Sequence, residues 1–312
     1  MSVPRTARHV RRLTAWLAVP ATAALLVACS GDGSGERAAD AGSEAAAARP
    51  NTAPDRVLSG PQGAVAQFVV ECDFSHAAFD DPIVHPGVEG ASHLHVFFGN
   101  VTTDAHTTVD DLVAGDTTCD QHLDRASYWA PALIRDGVVQ TPVKSVAYYR
   151  AGPDVVPTTV EPYPLGLRMI AGNSQATDEQ PTAVVAWACG AGSLREPIPP
   201  ECPDQRNLRL LVTFQDCWNG TDLDSIDHVS HVTYSRAGAC PDSHPVAIPQ
   251  LQFSVEYPVT GSIDGLELSS GGLGTGHADF YNAWDPDRLA REVRNCLHRD
   301  VVCGVASGRT DG

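Results

Sequence analysis

Apolar and polar residues alternate with a period of two along much of this chain. Ala64-Val-Ala-Gln-Phe-Val-Val70 alternates, then runs apolar towards Cys72. Ser92-His-Leu-His-Val-Phe-Phe98 alternates as well and stops at Gly99-Asn100. Such runs, rich in β-branched and aromatic residues and bounded by turn formers, predict strands. Residues 128–134 and 143–149, separated by Arg135-Asp136-Gly137, predict a hairpin. Further strands are expected over residues 167–170, 183–188, 208–214, 231–234 and 251–257. The 23 prolines and 27 glycines punctuate the intervals, which predicts long loops between short elements.

Helical periodicity is confined to two places. Residues 107–114 form a short candidate closed by Gly115, and residues 287–297 carry Leu289, Val293 and Leu297 at four-residue spacing behind Pro286. The expected fold class is therefore mainly β (β-rich α+β): a single disulfide-stabilised, sandwich-like domain with long loops and a short C-terminal helix.

The ends read differently from this body. Residues 1–28 resemble a lipoprotein signal peptide: Arg5, Arg8, Arg11 and Arg12 precede an apolar run over residues 13–27 that is short for a spanning helix. It closes with Leu26-Val27-Ala28-Cys29, which resembles a bacterial lipobox. Cys29 is thus expected to carry diacylglycerol and to hold the exported protein at the outer face of the cell membrane. Ordinary cleavage near Ala28, with release, is the other reading. Arg11-Arg12 makes a poor twin-arginine signal, because Thr14 and Ala15 stand where bulky apolar residues belong. Residues 29–60 are an Ala/Gly/Ser linker without apolar periodicity, residues 61–305 the β-rich domain, and residues 306–312 a tail.

Composition narrows the function. The formal charge is −17, from 38 acidic and 21 basic residues, which argues against a nucleic-acid partner. It also disfavours electrostatic adhesion to anionic lipid, so membrane attachment falls to the lipid itself. Lys144 is the only lysine, leaving lysine-based catalysis little room. A monomer is expected. Setting Cys29 aside, eight of the nine cysteines remain, and an even number in an exported chain reads as a disulfide framework. Connectivity is open at this level. Pairing of chain neighbours is the expectation: Cys72–Cys119, Cys189–Cys202, Cys217–Cys240 and Cys296–Cys303. No Cys-x-x-Cys occurs, so a thiolate zinc site is not expected.

The candidate chemistry lies in the histidines. Residues two apart on a strand share a face, so His93 and His95 point together, and so do His277 and Asp279. His228 and His231 form Asp-His-x-x-His with Asp227, and His244 lies in Cys-Pro-x-x-His-Pro. Neutral imidazole is the commonest metal ligand. His93, His95, His231, His277 and Asp279 are therefore the candidate ligands of one divalent transition metal, zinc or copper. Hydrogen-bonded structural histidines are the simpler alternative. Candidate catalytic groups are His93, His95, Asp216, His228, His231, His277 and Asp279, with Asp216 an acid or base at the end of the 208–214 strand. Trp218 and Trp284 are candidate sugar-stacking platforms, and His244 a further substrate contact. Asp81-Pro82 and Asn219-Gly220 read as turns. No nucleophile elbow, phosphate-binding loop or His-Glu-x-x-His helix is evident.

Several of these segments together resemble a known family. They are Asp81-Pro-Ile-Val-His-Pro-Gly87, Ala91-Ser-His-Leu-His-Val-Phe-Phe-Gly-Asn100, Phe214-Gln-Asp-Cys-Trp-Asn-Gly220, Leu223-Asp-Ser-Ile-Asp-His-Val-Ser-His231, Cys240-Pro-Asp-Ser-His-Pro245 and Gly276-His-Ala-Asp-Phe-Tyr-Asn-Ala-Trp-Asp285. The chain is similar to the secreted domain-of-unknown-function family numbered nineteen ninety-six, of fungi and actinobacteria, over nearly all of residues 65–300. Ala283 stands where that pattern has Gly. The resemblance implies an extracellular, glycan-related role and brings no settled catalytic residues. The expected function is a hydrolase or lyase acting on cell-wall or environmental polysaccharide. The alternative is a non-catalytic glycan- or metal-binding surface module.

Overall fold

The computed structural model describes residues 65–304. The expected signal peptide, Cys29, the linker and the C-terminal tail lie outside the described residues. The strands, in chain order, are β1 (Gln67–Ala78), β2 (His95–Gly99), β3 (Ser127–Pro131), β4 (Leu133–Arg135), β5 (Val138–Val139), β6 (Lys144–Arg150), β7 (Arg168–Gly172), β8 (Val185–Cys189), β9 (Leu208–Thr213), β10 (Cys217–Trp218), β11 (Val232–Thr233), β12 (Val246–Ala247), β13 (Gln250–Tyr257), β14 (Leu266–Leu268), β15 (His277–Tyr281) and β16 (Val302–Gly304). Helix α1 spans Val109–Ala114 and α2 spans Pro286–Glu292.

Ten strands form one sheet in the order β7-β15-β3-β2-β1-β6-β13-β9-β8, with β16 added parallel to β1 and every other pairing antiparallel. The long strand β1 pairs with β6 through Gln67–Asp73 and with β2 from Phe74 onward, with a register shift between Phe74 and His76. Irregularities of this kind bend a strand and increase its twist, and here the sheet curls into a near-barrel. Its two edges approach each other: the Gln215 side-chain amide donates to the Ile170 carbonyl of β7 at 3.0 Å. Gly172 ends β7 with φ +84°, and a Cβ there would lie 2.5 Å from the Gly276 carbonyl and 2.8 Å from His277 Cα. Only glycine permits β7 to lie this close beside the start of β15.

The period-two pattern sorts side chains onto two faces. Facing inward are Val96 and Phe98 of β2, Tyr128 and Ala130 of β3, Ala278 and Phe280 of β15 and Phe253 and Val255 of β13, all in the main core. Full burial of each large apolar side chain contributes about 1.5–3 kcal/mol. The alternate residues face outward. On β2, β3 and β15, Phe97, Trp129 and Tyr281 form a smaller apolar cluster covered by Ile83 and by Leu112 of α1. That helix begins with a capping box, in which the Thr108 hydroxyl accepts from Asp111 N and the Asp111 carboxylate accepts from Thr108 N.

The disulfides are Cys72–Cys119, Cys189–Cys202, Cys217–Cys240 and Cys296–Cys303, so chain neighbours do pair. The last of these ties the turn Val293–Leu297 that follows α2 to β16. The expected hairpin over residues 128–149 forms only in miniature. Arg135-Asp136-Gly137 joins β4 to β5, whereas β6 leaves β3 and pairs with β1 and β13. Local alternation marks a strand but does not choose its partner.

Candidate metal and substrate centre

The site stands on the outward face of β2 and β15 and on the loop that leads into β2. That loop, residues 79–94, is shaped by Asp81, whose Oδ1 accepts from the Ile83 and Val84 amides, both at 2.9 Å. Ile83 is fully buried under the outer cluster and pins the loop to the sheet. Ser92 N then donates to the Phe79 carbonyl at 3.0 Å, closing the loop just ahead of His93. On the strands, cross-strand register places His95 opposite Pro131, and Asp279 opposite Trp129. His95 and His277 thus rise on the same outer face, one strand apart, with β3 between them.

Two overlapping groups of potential ligand atoms result, each with its atoms within 4.8 Å of one another: His93, His95 and His277, and Asp81, His95 and Asp279. The Nε2 atoms of His93 and His277 are 3.1 Å apart. The His93 and His95 ring centroids are 4.2 Å apart. Backbone carbonyls fix two of the tautomers. His95 Nδ1 donates to the Asp80 carbonyl at 3.0 Å, and His277 Nδ1 to the Thr275 carbonyl at 2.9 Å. Their Nε2 lone pairs therefore face the centre. His95 Nε2 and Asp279 Oδ2 are buried and meet no partner among the described residues. A 240 Å³ pocket opens over this floor, with His85, Ser92, Ser174 and Gln175 around its mouth.

Burial sets the protonation states. Desolvation, reinforced by His93 and His277, holds His95 well below the usual imidazole range. Desolvation takes His277 down to about 4 and lowers His93 as well. The same desolvation, with Asp81 adding its charge, pushes the Asp279 carboxyl well above the usual range, and Asp81 itself is raised by burial. Burial thus favours the neutral form of all three imidazoles and shifts Asp279 towards its protonated form.

The remaining candidates stand elsewhere. His231 is buried with its Nε2 donating to the Arg168 carbonyl at 2.6 Å and its Nδ1 at 2.9 Å from Ser225 Oγ, so both ring nitrogens are taken and it joins no ligand group. His228 pairs with Asp224 at 3.0 Å, and Asp224 in turn pairs with Arg168 at 3.3 Å. These two histidines anchor the 222–231 loop to β7; neither joins a ligand group among the described residues, although His228 stands near enough to Asp81 to act on its carboxyl. His244 is bound to the Ser230 carbonyl at 2.9 Å, outside the pocket. Asp216 is also separate. It is buried, with Oδ1 accepting from Ser235 N at 2.7 Å, and it packs so closely that a Cβ on Gly152 would lie 1.6 Å from its Oδ2. No substrate reaches it there. Trp284 is not a stacking platform: it is 1% exposed, and its indole N–H donates to Tyr149 in the core. Trp218 is half-buried and donates to the Asp222 carbonyl at 2.6 Å. Asp81, read from sequence as a turn former, is both that and a member of the centre. The adjacent acids Asp80-Asp81 before Pro82, in a motif just ahead of His-x-His, were the available signal.

The fold and centre define a curled, disulfide-bonded antiparallel β domain with a buried His/Asp cluster open on one side. The chain belongs to the family described as a domain of unknown function (DUF1996), which matches residues 81–284, a span that begins at Asp81 and contains all five centre residues. No curated protein and no solved structure matches the chain.

Proposed function

We propose that the centre binds one divalent transition metal, zinc or copper, and that the protein is an extracellular hydrolase or lyase acting on cell-wall or environmental polysaccharide. The observation that carries this reading is the pair of buried, partnerless atoms, His95 Nε2 and Asp279 Oδ2: Asp279 lines a polar pocket with His93 and His277, and His95 lies behind them within ligand distance. An unsatisfied buried polar group costs about 1–3 kcal/mol, and a ligand role accounts for keeping both. Three imidazoles with one open side also fit the pattern of catalytic zinc sites, which keep a position for water or substrate.

The protein's own residues have definable tasks. Asp80 and Thr275 orient the His95 and His277 rings through their carbonyls, as outer partners of metal ligands do. Asp279, its pKa raised by burial, offers a carboxyl oxygen beside the three imidazoles. Asp81 is held by two amides, and Ser92, Ser174 and Gln175 suit sugar hydroxyls. A bound divalent ion supplies polarisation of a substrate oxygen and acidification of water. The four disulfides agree with an oxidising, extracellular location. The Leu26-Val27-Ala28-Cys29 segment supports anchoring by lipid on Cys29.

One observation favours the alternative of a non-catalytic glycan- or metal-binding module: at 240 Å³ the pocket is below the roughly 300–1,000 Å³ usual for ligand sites. Metal analysis of untagged protein, combined with product release from a glycan panel, separates the two. Stoichiometric metal with turnover that is lost in His95→Ala supports the enzyme. Stoichiometric metal without turnover selects the module, and absence of metal binding overturns both metal-based readings.

A further inference from the structure

A second pocket, of 330 Å³, lies on the outer face of the other half of the sheet, across β6, β13, β9 and β8. Its floor follows from register. Tyr148 of β6 stands opposite Gln252 of β13, and Arg150 stands two residues further along the same face. The loop of residues 190–193 and Arg195 close one side.

The charges here are unusual for so acidic a protein. Arg209, at one end, is neutralised by Glu256 at 2.6 Å. Arg150 is not. Its one side-chain hydrogen bond goes to Gln252 Oε1 at 3.2 Å, and its Nε is buried without a partner. Arg195 is exposed and makes no ion pair among the described residues. The two guanidinium groups are close enough that Arg195, after burial, depresses the pKa of Arg150, and no carboxylate acts on Arg150 in return. Among the described residues, two like charges thus share one pocket without a counter-ion.

We infer that this pocket is a binding subsite for an acidic saccharide, whose carboxylate bridges Arg150 and Arg195. Guanidinium groups meet carboxylates through paired, charge-assisted hydrogen bonds, the strong kind. The half-buried Tyr148 ring, with the Arg150 guanidinium 5.7 Å from its centroid, offers an apolar face to a sugar ring. Gln67 and Gln252 provide amides for hydroxyls. The anionic part of the inference stands on the two arginines alone; the saccharide part rests on the glycan reading proposed above.

The test is calorimetric titration of the intact protein with trigalacturonate, with its methyl ester and with inorganic sulfate. Trigalacturonate is expected to bind, to weaken as salt rises, and to weaken about tenfold or more in Arg195→Gln. The melting temperature of that variant should be unchanged, because Arg195 is exposed. In His95→Ala the same binding should persist. Equal binding of the methyl ester, unchanged binding in Arg195→Gln, or loss only in His95→Ala overturns the subsite. Binding of sulfate without trigalacturonate overturns its saccharide assignment. Metal content and product release report on the His/Asp centre independently of all these outcomes.

Discussion

Two regions of this protein bury ionisable groups, and they do so in opposite ways. In the core, Asp124 receives a hydrogen bond from Tyr128 at 2.6 Å and another from Ala126 N at 3.1 Å. Tyr128 is bonded to Tyr149, and Tyr149 accepts from the Trp284 indole at 3.2 Å. The named hydroxyl, carboxylate and indole groups have partners inside the network. In the His/Asp centre, His95 Nε2 and Asp279 Oδ2 have none and lie beside a pocket. A buried network closed on itself specifies packing. A buried cluster left open has a desolvation cost with no internal return, which fits the ligand role proposed above. The contrast is between satisfaction and its absence, since Asp124, His95 and Asp279 are all buried.

Trp284→Ala is the hardest blow to the closed network. It should cost about 3–5 kcal/mol in denaturant unfolding, while residual folded protein keeps full metal affinity. Loss of metal affinity at unchanged fold would abolish the distinction between the regions. His95→Ala is its converse. Metal affinity, read by competition with a chelator, should fall by more than the roughly 10–100-fold that outer-shell changes cost. Stability without metal should fall less than in Trp284→Ala, because the lost Asp80 hydrogen bond and the cavity are partly offset by removal of a partnerless buried nitrogen.

The pH dependence of stability without metal separates the regions by sign. Desolvation raises Asp124 to about 8, from the ordinary carboxyl value of about 4. Its contribution is therefore fully present below about 4 and is lost as pH rises through about 8. His277 is lowered to about 4 from 6.5, so its contribution is present above about 6.5 and is lost as pH falls through about 4. Asp124→Asn should flatten the alkaline side of the stability profile, and His277→Gln its share of the acid side. The same variants acting on the opposite sides would refute the assigned causes. The smallest effect is expected from His244→Ala, within about 0.5 kcal/mol and with metal affinity unchanged, since His244 is bonded to Ser230 outside the pocket. A measurable loss of metal there would mean that the histidine clusters do converge.

Much of this was legible in the chain. Alternation located β2, β9 and β13 to within a few residues and the first part of β1, which runs on to Ala78; it put His277 with Asp279 on one face, and His93, just ahead of β2, beside His95. Short separations between cysteines favoured the observed pairing, since nearby chain segments meet most readily. The failures share one cause. Trp284 and Asp216 resemble site residues in composition, yet one fills the core and the other is sealed behind Gly152. His231 has ligand-like spacing with His228, but both its nitrogens hold the backbone and a serine. Asp81 looked like a turn because it is one. No local pattern reports that its carboxylate also lies near Asp279, 198 residues further along the chain.

The sequence alone determined the β-rich class, the faces on which strand residues stand and the identity of the histidine motifs, and it favoured, without fixing, the pairing of neighbouring cysteines. These follow from two-residue periodicity and short chain separations, which act locally. Tertiary structure decided which strands pair, which three of the histidines share a centre, which acids join them, and which polar atoms remain without partners. Those outcomes depend on the curling of a ten-stranded sheet, which brings residues 81, 93, 95, 277 and 279 together. Partnership across such distances is set by packing of the whole core, so the meeting of partnerless buried atoms with three imidazoles beside one pocket exists only in the folded chain.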